Sequence, residues 1–81
     1  MKNYIYKINK EKDFIQVFSL KITTTEVRIY KFAGKWDVEH WSGNRSLENT
    51  RNYAELILHA CDIAEELNTT DKDTVFERLL N

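Results

Sequence analysis

The hydropathy period of this chain changes once, and that change limits what it can fold into. Up to residue 41 apolar and polar side chains alternate every second residue, whereas from Tyr53 onward apolar residues recur at three- and four-residue steps. The first pattern belongs to strands with one covered face and the second to helices with one covered stripe. Laying the helices on one face of the sheet buries both, which predicts an α+β fold.

Four strands are expected. Tyr4, Tyr6 and Ile8 alternate in the first, and Lys10 to Asp13 form a polar turn. The second runs from Phe14 to Thr23, with Phe14, Phe18, Leu20 and Ile22 on the expected core side together with Gln16, and Ile15, Val17, Ser19 and Lys21 on the other. A polar break at Thr23 to Thr25 precedes a third strand from Glu26 to Phe32, in which Val27 and Ile29 oppose Arg28 and Tyr30. Ala33 and Gly34 mark a tight hairpin, because such turns need positive φ and glycine accepts it. The fourth strand is expected over Lys35 to Trp41, and Ser42, Gly43 and Asn44 end the sheet. Short connections between consecutive strands predict an antiparallel β-meander.

A long helix follows, with Tyr53, Leu56, Ile57, Ala60, Ile63, Ala64 and Leu67 on its apolar stripe. Ser46, Asn49, Thr50 and Asn52 all offer an oxygen to cap its start. Asn68 and Thr69 interrupt it, and Thr70 is the expected cap of a short C-terminal helix carrying Val75, Phe76, Leu79 and Leu80. Phe14, Phe18, Trp36, Tyr53 and Phe76 should supply much of the core volume.

The 81 residues are read as one domain, 1–81, with a marginal core. Cys61 is the lone cysteine, which fits a reducing compartment. No apolar run approaches a membrane span and no signal-peptide core follows Met1, so the expected location is cytoplasmic, without membrane attachment. Lys, Asn, Ile and Thr are plentiful and proline is absent, a bias in the style of an AT-rich genome such as a phage's.

Charge divides along the chain. Residues 1–35 hold eight basic side chains against three acidic, and residues 36–81 hold four basic against ten acidic. Two candidate surfaces follow. The solvent-facing side of the sheet is expected to display Lys7, Lys21, Arg28, Tyr30 and Lys35, the lysines, arginine and aromatic that a single-stranded nucleic acid needs for phosphate tracking and base stacking. The helical exterior is expected to be acidic, with Glu55, Asp62 and Glu66 alongside the exposed anchors Tyr30 and Trp41 as a protein-binding surface.

Chemistry finds little foothold. His59 and Cys61 lie two residues apart on a helix, roughly 200° around its axis, and so cannot share an ion. Cys61 is expected as a half-buried filler and His59 at the surface. Asp37 and Glu39 project from one side of a strand and can hold a divalent ion, but cross-strand partners such as Lys21 or Arg28 make the same pair an ion-pair ladder. Phosphate cradles need clustered glycines, whereas Gly34 and Gly43 stand apart. The chain is therefore expected to be no enzyme, to use no cofactor and no metal, and to work as a stand-alone protein–protein interaction module. A phage or mobile-element accessory inhibitor or regulator is the form this expectation takes. The alternative is a single-stranded nucleic-acid-binding module, and a homodimer through an edge strand or Trp41 would also enlarge so small a core.

Overall fold

The computed structural model describes residues 3–41, 43 and 45–81, without the side chains of Thr23 and Thr24. Its elements are β1 (Tyr4–Asn9), β2 (Phe14–Ser19), β3 (Ile22–Phe32), β4 (Lys35–Glu39), α1 (Leu47–Thr69) and α2 (Lys72–Leu80). The strands form one antiparallel sheet in the order β1-β2-β3-β4, and both helices pack on one of its faces. The expected α+β meander with a long and a short helix is therefore the fold. The expected role of Ser42 and Asn44 in ending the sheet lies outside the described residues.

Each turn has a local cause. Ala33 and Gly34 take φ of 54° and 83°, the left-handed pair of a two-residue hairpin loop. Asp13 closes the β1–β2 turn at φ 51°, and its carboxylate accepts a 2.7 Å bond from Lys72 Nζ, which ties that turn to α2. The β2–β3 turn lies earlier than expected, at Leu20 and Lys21, where Ser19 Oγ accepts from the Lys21 N–H at 3.1 Å. Thr23 to Thr25 are not a break but part of β3. The register shifts between Phe18 and Ser19, so residues 23–25 form an irregular stretch within the strand.

The inner face of the sheet differs from expectation at β2. Ile15 and Val17 are fully buried with Val27 and Ile29 beneath the helices, while Phe14 and Phe18 lie on the opposite, open face. The helices supply the bulk instead. Phe76 and Leu56 are fully buried, and the Phe76 ring meets Trp36 edge-on at 6.0 Å between centroids. Trp36, Tyr53 and Phe76 therefore belong to the core as expected, and Phe14 and Phe18 do not.

Helix ends resolve the capping alternatives. Ser46 caps α1, its Oγ accepting from the Asn49 N–H at 3.1 Å. Thr70 does not cap α2: it ends α1, donating its N–H to Glu66 O, and the carboxylate of Asp71 caps α2 by accepting from the Thr74 N–H. Asn68, on the last turn of α1, uses its side-chain amide twice on β4. It accepts from the Trp36 N–H at 2.8 Å and donates to the Trp36 carbonyl at 3.2 Å, occupying the strand's outer edge as a neighbouring strand would.

Candidate functional site: the open sheet face

The face turned away from the helices is built in cross-strand rows. One row runs Ile5, Phe18, Glu26; the next Lys7, Gln16, Arg28, Glu39; the third Asn9, Phe14, Tyr30, Asp37. Phe32 and Lys35 close the far end. Trp41 stands beyond β4 and lines a cleft with Glu26, Arg28, Glu39 and His40, while its N–H donates to Tyr53 Oη at 2.6 Å.

Two kinds of group share this surface. Phe14, Phe18 and Tyr30 are half-buried by their neighbours, whereas Ile5, Phe32 and Trp41 are 50%, 65% and 73% exposed. Between them the charges are largely engaged. Arg28 reaches Glu26 at 2.8 Å and Glu39 at 3.6 Å, Gln16 donates to the other oxygen of Glu26 at 2.6 Å, and Lys7 Nζ lies 5.5 Å from the centroid of the Phe18 ring.

The expected basic surface is only partly assembled. Lys7, Arg28, Tyr30 and Lys35 do lie on the open face. Lys21 does not, because the β2–β3 turn falls at Leu20–Lys21 and sends its ammonium to Glu55 of α1 at 3.2 Å. Glu26, Asp37 and Glu39 share the face, so it carries as many carboxylates as cations among the described residues. Alternation assigns each of these side chains a side, but it does not reveal the carboxylate contacts that cancel Arg28. Of the pair Asp37 and Glu39, Glu39 turns to Arg28 across the strands, whereas Asp37 stands opposite Tyr30.

The acidic helix exterior is similarly tempered. Glu55 pairs with Lys21, and Glu66 pairs with Arg78 of α2, whose guanidinium holds the Glu66 carboxyl below the usual range. Asp62 is exposed on the same helix and lies close enough to His59 to favour its charged form.

His59 and Cys61 reverse their expected surroundings. Cys61 is exposed. The His59 ring lies half-buried at the edge of α1's apolar stripe, stacked on Tyr4 at 3.8 Å between centroids and 9° between planes, with Nε2 2.6 Å from Tyr6 Oη. Burial lowers the His59 pKa and raises that of Tyr6. A signal existed in the sequence, since position 59 adjoins positions 56, 60 and 63 of the helical stripe and Tyr4 and Tyr6 share the inward side of β1.

Among the described residues no three His, Cys, Asp or Glu side chains converge as metal ligands. No helix among them is long and apolar enough to cross a membrane. No family model matches the chain, and neither the curated proteins nor the solved structures searched contain a match to it.

Proposed function

We propose that this chain is a protein-binding module that acts by occupying a partner's surface, with the open sheet face as its contact surface. The observation that carries this reading is β2. Its sequence Phe14-Ile15-Gln16-Val17-Phe18 is apolar on both faces, yet the helices cover one. Strands rich in apolar residues on both sides are those with cover on both sides. Exposed Ile5, Phe32 and Trp41 add apolar area at the corners of this face, on either side of its polar central row, and exposed apolar groups gathered on one face mark a contact site. Tyr30 and Trp41 are the aromatic anchors expected to concentrate the binding energy. Inhibition or regulation by masking, in the phage or mobile-element setting suggested by composition, is the role such a module would serve.

Balanced charge favours protein over nucleic acid. A phosphate approaching Arg28 must displace Glu26 and Glu39, and it meets Asp37 beside Tyr30. A photo-cross-linking residue at position 32 tests the reading against the same residue at position 58, an exposed leucine on the outer side of α1. Protein adducts are expected at position 32 and not at 58, and adducts at 58 alone would overturn the assignment. Salt-dependent binding of single-stranded RNA, with a log-log slope near about −2 to −3 from three or four neutralised phosphates, would favour the nucleic-acid reading instead.

A further inference from the structure

We infer that the occupant of the open face is a second copy of this chain, docked sheet on sheet as a two-fold dimer whose symmetry axis runs parallel to the strands between β2 and β3. This inference rests on reading the open face as a contact surface and names what covers it.

The charge order of the central row carries the inference. Lys7 on β1 and Glu39 on β4 stand at opposite ends of the row, with Gln16 and Arg28 between them. Rotation about an axis along the strands reverses the order of the strands and keeps each row at its own level. Lys7 then meets the second copy's Glu39, Arg28 meets Gln16, and every such contact occurs twice. In the next row Phe14 comes over Tyr30 and Asn9 over Asp37, again twice. At the corner, exposed Ile5 is carried toward exposed Trp41.

The perpendicular arrangement centred on this row fails on the same charges. An axis perpendicular to the strands through this row sets Lys7 on Lys7 and Arg28 on Arg28, a like-charge juxtaposition that disfavours it. The central row therefore favours the strand-parallel axis over a perpendicular axis through that row.

Size agrees with a reversible dimer. Four strands about 4.8 Å apart and rows spanning roughly 20 Å give an interface on the order of 1,000 Å² in total, near the lower bound for specific association. The two sheets pack about 10 Å apart with their strands within roughly 30°, which keeps the central rows over one another. Association is expected in the micromolar range.

Sedimentation velocity of the full chain from about 1 to 300 µM, a range bracketing the micromolar expectation, tests this. The wild type is expected to pass from monomer to dimer. Lys7→Glu and Glu39→Lys are each expected to weaken dimerisation about tenfold or more, because each sets like charges opposite one another twice. An equimolar mixture of the two variants is expected to recover it as a heterodimer, since both carboxylates of the first variant then meet both ammonium groups of the second. Both sites are exposed, and each variant is expected to keep the wild-type circular dichroism spectrum, which checks that it folds. A wild type monomeric throughout, or single variants that dimerise normally, or a mixture that fails to recover, would overturn the inference. The photo-cross-linker at position 32 separates this from failure of the underlying reading: adducts with other proteins from a monomeric wild type remove only self-docking, and no adduct at all removes both.

Discussion

Adjacent residues of β2 and β3 live in two different environments a single peptide apart. The inner face, Ile15, Val17, Val27 and Ile29, is aliphatic, β-branched and fully buried. The open face, Phe14, Gln16, Phe18, Arg28 and Tyr30, mixes aromatics with charges that satisfy one another. The difference separates two tasks. The inner face closes against helices that bring the bulky groups, Phe76 and Leu56, so small stiff side chains fit opposite them. The open face keeps large side chains with polar handles, which suits contact with something that comes and goes.

The largest expected effect tests whether stability resides on the inner face. Ile29→Ala is predicted to cost about 2–5 kcal/mol through lost burial and a cavity. A domain of this size has only about 5 kcal/mol in total, so the variant should be substantially unfolded in urea titrations at about 25 °C. Tyr30→Ala, the next residue along the same strand, should stay within about 1 kcal/mol of wild type in the monomer. Equal losses at 29 and 30 would break the distinction between the faces.

The division of the fold into sheet and helices is legible in the sequence because period is a backbone property: two-residue and 3.6-residue repeats survive any assignment of faces. The Ala33–Gly34 hairpin is legible for a similar reason, since its positive φ requirement is local. The inward side of β2 is not. Phe14-Ile15-Gln16-Val17-Phe18 has one polar residue, and side-chain volume alone points the phenylalanines inward, whereas the helices already supply that volume with Phe76. The position of Lys21 is equally hidden, because the turn at Leu20–Lys21 has no glycine and the threonine run beside it resembles the better break. Alternation therefore suggests a basic surface, whereas Glu26 and Glu39 neutralise its arginine and Lys21 belongs to the helix side.

Smaller effects probe how the covered side is held at its rim. Asn68→Ala removes both hydrogen bonds to the Trp36 backbone on the β4 edge, and a loss of about 1–3 kcal/mol is expected, together with faster amide exchange at Trp36. Unchanged exchange there would mean that the edge is protected by packing alone. Ser46→Ala removes the α1 cap and should cost about 1 kcal/mol, with Ser46→Asp close to neutral, both read as shifts of the urea midpoint.

The smallest effect concerns β1, where the covered face thins and Tyr4, Tyr6 and Ile8 are only half-buried. His59 lies between Tyr4 and Tyr6 there, and burial lowers its pKa below the ordinary 6.5, against the opposing pull of Asp62. A group with a lowered folded pKa takes up its proton more readily when unfolded. Its contribution to stability is therefore present above pH 6.5 and is lost as the pH falls through the folded value. Melting temperature should decline modestly from about pH 7.5 toward about 5, a range centred on histidine titration, and His59→Gln should flatten that decline while Glu66, held low by Arg78, titrates only in the more acidic carboxylate range. A nuclear magnetic resonance titration of the His59 ring gives the sign directly. A midpoint above 6.5 would mean that Asp62 outweighs burial, so that the rim of the inner face is as wet as the open face and the contrast between the two ends at β2.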